Sequence, residues 1–130
     1  MPNVELIKDV AVITPKGDLG HREMAELKEL ISEVLTLGEP RVVLDLTHVD
    51  HVNYVTLGVL VERRLRLRAV GGDLRLAAPS EYLVKIFRFA GVHDLFETHP
   101  TVGEAIDSYI DEAEETVTAV SSRSWVPRLH

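Results

Sequence analysis

Arg41-Val-Val-Leu-Asp-Leu46, followed by Thr47-His-Val-Asp-His-Val-Asn-Tyr-Val-Thr-Leu-Gly-Val-Leu-Val61, decides the fold. The first six residues form an apolar run without alternation, the pattern of a parallel strand covered on both faces. The end of the second run reads as the start of an amphipathic helix. Between them lies a loop at a helix N-terminus, where free backbone N–H groups and the helix dipole favour an anion.

The same alternation extends outward in both directions. Residues 3–8 and 10–15 read as two strands around Lys8-Asp9, and residues 16–20 as a turn. Met24, Leu27, Ile31, Val34 and Leu35 recur at helical spacing, predicting a helix over 21–37 that Gly38 and Pro40 stop. A second helix is expected over Val55–Ala69, with Leu57, Leu60, Val61, Leu65 and the stem of Arg68 facing inward, and Gly71-Gly72 ending it. Residues 73–78 read as an interior strand closed by Pro79. Ser80 caps a short helix that carries Leu83, Val84, Ile86, Phe87 and Ala90 inward and ends at Gly91. A short apolar patch, Val92 to Phe96, follows. Thr101 and Glu104 have the spacing of a capping box, opening a helix through Ala105, Ile106, Tyr109, Ile110 and Ala113. Strands alternating with helices imply right-handed βαβ units.

The 130 residues suit one domain. Residues 1–115 hold all 21 acidic and 12 of the 14 basic side chains, a net of −9 against +2 for the remainder. That balance argues against nucleic-acid binding and against docking on anionic lipid. Without cysteine there is no thiolate nucleophile and no cysteine zinc site. No apolar run approaches the roughly 18 residues that span a bilayer, and no secretory leader is visible. The expectation is a cytoplasmic protein without membrane insertion. Residues 116–130 lack helical periodicity and are expected as a flexible tail, the rival being an arm that docks Trp125.

Five segments in order resemble one family. They are Asp9-Val-Ala-Val-Ile with Gly17-Asp-Leu-Gly; Arg41-Val-Val-Leu-Asp-Leu-Thr-His-Val-Asp; Leu57-Gly-Val-Leu-Val; Gly71-Gly-Asp-Leu-Arg-Leu-Ala-Ala-Pro-Ser; and Phe89-Ala-Gly-Val-His-Asp-Leu-Phe-Glu. Over residues 3 to about 112 the chain resembles the STAS domain of bacterial anti-sigma-factor antagonists. The resemblance implies an α/β fold: a single domain over 1–115, with a small mixed, mostly parallel sheet and about four helices packed mainly on one face. It also implies a non-catalytic signalling role in the regulation of transcription. In that family a partner kinase, itself the anti-sigma factor, phosphorylates the second serine of a loop running roughly Asp-Ser-Ser-Gly-Leu-Gly. The unphosphorylated antagonist binds the anti-sigma factor.

Aligned on Leu57-Gly58, the acidic position becomes Asn53, the first serine Tyr54, the acceptor Val55 and the glycine Thr56. Valine has no hydroxyl, so this chain forgoes a phosphate of about −1.5 to −2 charges there. Thr56 is the candidate acceptor that remains, against a capping role at the helix start. One residue along a helix turns a side chain by about 100°, so a kinase would meet a different geometry. Tyr54 reads as an exposed contact aromatic rather than an acceptor. Together Tyr54 and Val55 form either a contact patch or a degenerate loop packed on its own domain. Arg63, Arg64, Arg66 and Arg68 form a basic helix segment that either docks a partner or is a solvated face. His48 and His51 beside Asp45 and Asp50 read as polar surface rather than a metal site, and no cofactor or catalytic pair is expected.

The expected partner-binding residues are therefore Asn53, Tyr54, Val55, Thr56, Arg63 and Arg64. The expected partner is a protein: an anti-sigma factor with serine-kinase activity or another STAS protein in an assembly, with a homodimer as a further form. The alternatives are a phosphoacceptor switch at Thr56 and an accessory or ligand-binding STAS domain of a transport system.

Overall fold

The computed structural model describes residues 2–122, with side chains as far as Ala113. Strand β1 (Asn3–Ile7) turns through Lys8 and Asp9 into β2 (Val10–Thr14). Both turn residues take positive φ, 51° and 64°, as tight two-residue hairpins demand. β3 (Gly17–Leu19) leads into helix α1 (His21–Thr36), whose start is held by the Gly20 N–H donating to Glu23 Oε1 at 3.1 Å. Then come β4 (Arg41–Asp45), β5 (Val49–Val52), helix α2 (Leu57–Arg68), β6 (Asp73–Ala77), helix α3 (Glu81–Phe89), β7 (Thr98–His99) and helix α4 (Val102–Ser122). Ser80 caps α3 by accepting from the Leu83 N–H at 3.1 Å, and the Thr101 hydroxyl caps α4 by accepting from Glu104 N–H at 3.1 Å.

The main sheet runs β1-β2-β4-β6-β7, antiparallel only at β1. Period-two alternation splits it into two apolar faces. Ala11, Ile13, Val42, Leu44, Leu74 and Leu76 face the cluster shared with α1, α2 and α3. Val10, Val12, Val43 and Ala77 face Ala105, Ile106 and Tyr109 of α4. Three helices thus cover one face and one covers the other, the mixed, mostly parallel α/β arrangement expected.

Three details differ from the sequence expectation. Residues 17–19, expected as a turn, pair in parallel with β5, expected as loop, to form a separate two-stranded sheet. In α2 it is Arg63, 6 % exposed, that turns inward and Leu65, 59 % exposed, that turns out. Helix α4 continues to Ser122, into the segment expected as a tail. The remainder of that segment, 123–130, including Trp125, lies outside the described residues.

One close approach fixes the junction between α2 and β6. A Cβ on Gly72 would lie 1.9 Å from the Pro40 carbonyl oxygen, so only glycine fits.

Candidate partner-binding loop

The small β3–β5 sheet carries the loop. The Asn53 N–H donates to Leu19 O at 3.0 Å, tying the end of β5 to the end of β3. From there the chain makes one tight turn, Tyr54–Thr56, before α2 begins. The Asn53 side chain caps that turn, its Oδ1 accepting from the Val55 N–H at 3.0 Å. The Asn53 carbonyl accepts twice, from the Thr56 N–H at 2.9 Å and from the Thr56 hydroxyl at 2.7 Å.

The two residues expected to compete for a functional role are separated by this turn. Val55 points outward, 65 % exposed, and Tyr54 is 52 % exposed. Thr56 points inward, 6 % exposed, with its hydroxyl committed to Asn53. The capping role expected of Thr56 is instead filled by Asn53; Thr56 makes no side-chain cap bond. The N–H groups of Val55 and Thr56 are both taken within the turn, so the anion site suggested by a free helix start has lost those two donors.

Asn53, Tyr54, Val55 and Thr56 are contiguous and together, but Arg63 and Arg64 are drawn away from them. Arg63 donates through Nη1 to Ser32 Oγ on α1 at 2.9 Å, with its Nε 3.1 Å from Glu62 Oε1. Arg64 Nε lies 3.2 Å from Asp73 Oδ1, at ion-pair distance though not aligned as a hydrogen bond. Asp73 is itself 3 % exposed and draws Arg68 and Arg75 as well. A buried carboxylate needs such partners, because desolvation would otherwise disfavour its charge. The solvated or docking arginine face expected for α2 is therefore partly a set of counter-ions for a buried acid. Arg66 pairs with Glu62, and its hydrogen bond holds the Glu62 carboxyl below the usual range.

Behind the sheet, Arg75 lies 4.0 Å from the centre of the Tyr109 ring and pairs with Glu112 at 2.8 Å. Burial works against the Arg75 charge, but its bonds to Glu112 and Asp73 outweigh it and raise its pKa. Burial, then the Asp73 carboxylate, push the Tyr109 phenol well above its usual range. This cluster clamps α4 to the sheet and lies apart from the loop in sequence and on the opposite face.

Two residues not expected in the site belong to its surroundings. The Phe89 ring, 76 % exposed, meets Tyr54 edge-on with centroids 5.2 Å apart. Tyr82, 51 % exposed, stacks on His51 and shares a 2.6 Å hydrogen bond with its Nδ1. Their signal was available: on α3, residues 82 and 89 fall outside the inward set that includes Leu83 and Phe87. His51, expected as polar surface, is thus a strut between β5 and α3.

The sequence model of the STAS domain family matches residues 1–105. The chain belongs to the STAS domain family. A Thermotoga neapolitana protein named as an anti-sigma factor antagonist homologue is 26 % identical over 105 residues, 79 % of this chain and 92 % of that protein. The crystal structure of a protein described as an anti-sigma factor antagonist from Thermotoga maritima superimposes with a TM-score of 0.75 at 21 % identity, covering 82 % of this chain and 92 % of that one. The anti-sigma factor antagonist SpoIIAA in its unphosphorylated form gives 0.74 at 24 % identity, over 85 % and 97 %. The STAS fold is therefore established along with the family, and the kinship is to anti-sigma-factor antagonists. Among the described residues no helix is long and apolar enough to cross a membrane.

Proposed function

We propose that this STAS domain is a non-catalytic regulatory module that binds a protein partner through the 47–58 segment, as an anti-sigma-factor antagonist does, without phosphorylation at position 55. One observation carries the reading. At the position aligned with the family's acceptor serine, Val55 is 65 % exposed and stands beside the half-exposed Tyr54 on a turn pinned at Asn53. Apolar and aromatic side chains held outward at a rigid turn form a recognition surface.

The buried, hydrogen-bonded hydroxyl of Thr56 counts against its use as a substituted acceptor, since a kinase must reach the oxygen and the product must hold two charges. Tyr54 and Val55 make the contact in this reading, Asn53 and Thr56 shape the turn, and Arg63 and Arg64 anchor α2. The partner is an anti-sigma factor with serine-kinase activity or another STAS protein, and the setting is the cytoplasm.

The test pairs phosphorylation with binding. With ATP and the anti-sigma serine kinase, wild type should incorporate no phosphate and should bind the kinase, while Tyr54→Ala binds it at least about fivefold more weakly, as loss of an interface aromatic predicts. Phosphate incorporation that disappears in Thr56→Ala would sink the proposal.

A further inference from the structure

Helix α3 turns two adjoining stripes to solvent. One is apolar, with Tyr82 and Phe89 exposed and Ile86 half-buried between them; the other is basic, with Lys85 and Arg88. Because the Phe89 ring meets Tyr54, the apolar stripe reaches the loop, where the exposed Val55 is the next residue. The hydrogen bond between Tyr82 and His51 holds its far end. Isolated exposed apolar residues need no explanation, but this contiguous aromatic run is of the kind that marks an interaction site.

The charges identify what fits it. Every other arginine among the described residues is held in an ion pair. Among those residues Arg88 makes none, and Lys85, like the other lysines, makes none either. Glu81, at the start of the helix, is the acidic residue within α3. In a chain of net charge −7 an acidic partner is repelled in general, so two unneutralised cations beside an aromatic stripe select both the face and the orientation of approach.

We propose that Tyr82, Lys85, Arg88 and Phe89, continuous with Tyr54 and Val55, dock a protein segment whose apolar side chains are flanked by carboxylates, in the form of an acidic amphipathic helix. This rests on the reading of the loop as a contact surface and extends it along α3 rather than α2. The probe is a synthetic amphipathic helix with Leu and Phe on one face and Glu on the other, compared with the same peptide carrying Lys for Glu, each titrated into isotope-labelled protein.

The acidic peptide should shift the amide signals of Tyr82, Lys85, Arg88, Phe89 and Tyr54, and should bind about tenfold more tightly than its Lys counterpart, the sum of two rim charges. Lys85→Glu/Arg88→Glu should reverse that preference, and Phe89→Ala, altering an exposed ring, should weaken the acidic peptide while the protein stays folded. Equal response to both peptides, no response, or shifts centred elsewhere would overturn the proposal. Shifts of these same amides on concentrating the protein alone would overturn it in favour of a second copy. Failure on α3 alongside Tyr54-dependent kinase binding would remove the extension and leave the loop; loss of both would remove the loop as well.

Discussion

Replacing Thr56 by valine isolates what its hydroxyl does. The two side chains have nearly the same volume, so the change removes one O–H and little packing. Thr56 is 6 % exposed and donates to the Asn53 carbonyl at 2.7 Å. A neutral hydrogen bond of this kind contributes about 0.5–1.5 kcal/mol. The Asn53 carbonyl keeps its second donor, the Thr56 N–H, so no buried acceptor is orphaned and the loss stays near the middle of that range. Thr56→Val should therefore lower stability by about 1 kcal/mol, or about 3–6 °C in Tm for a domain of this size. Urea and thermal unfolding read it directly. Partner affinity should be unchanged, because the residue faces inward. Thr56→Glu, the usual mimic of a phosphothreonine, should cost several kcal/mol, since it forces an unpaired carboxylate into the core. A Thr56→Glu protein with wild-type Tm would refute the reasoning, as would a Thr56→Val protein of unchanged Tm that no longer binds its partner. Either would mean that the hydroxyl faces solvent and acts there.

Three further outcomes follow from the geometry. Tyr54→Ala should weaken kinase binding by more than about 1 kcal/mol and lower stability by about 1 kcal/mol, the edge-on contact with Phe89 setting the second figure; calorimetry and thermal unfolding separate the two. Gly72→Ala should cost about 3 kcal/mol or more, or leave the chain unfolded by circular dichroism, because its Cβ would meet the rigid Pro40 backbone at 1.9 Å. Tyr109 has a folded-state pKa raised above its ordinary value of 10.0, so the phenol holds its proton in the fold after the unfolded chain has released it. Its share of stability is intact below pH 10 and falls above it by about 1.4 kcal/mol per pH unit, a slope that Tyr109→Phe should abolish in urea titrations.

The main elements were legible because their signal is local. The apolar runs at 10–14, 41–45 and 73–77 announced interior strands, and Ser80 and Thr101 announced helix starts through their hydroxyls. The β3–β5 pairing was not legible: three residues opening on a glycine carry no strand period, and their partner lies some thirty residues away. The inward turn of Arg63 was hidden for a different reason. Periodicity assigns arginine to the surface, and only Ser32 on the neighbouring helix and the acid beside it supply a place for the guanidinium. Likewise nothing local in Asp73 says that it will be buried and need three arginines. For the loop, the register on Leu57-Gly58 is enough to place Val55 where the family has its acceptor serine, but the fate of Thr56 depends on a turn whose cap, Asn53, carries no sequence signal beyond its place in the contact loop.

The loss of the switch goes deeper than one missing hydroxyl. Restoring an acceptor by Val55→Ser should be nearly free in stability, since position 55 is mostly exposed and little apolar area leaves the core. A phosphate placed there would then seek backbone N–H groups at the start of α2, the interaction that makes helix N-termini anion sites. The two in the turn itself are already bound: the Val55 N–H to Asn53 Oδ1 and the Thr56 N–H to Asn53 O. The first is a side-chain bond and can yield; the second belongs to the backbone of the turn and cannot yield without unwinding it. Phosphoserine at 55 would thus have to displace the Asn53 amide to gain a donor from its own turn. Val55→Ser should accept phosphate from the kinase yet show only a small rise in Tm on phosphorylation, and Val55→Ser/Asn53→Gly, which frees that donor, should show a larger one. Equal shifts in the two proteins would mean that the turn, as described, does not withhold its donors.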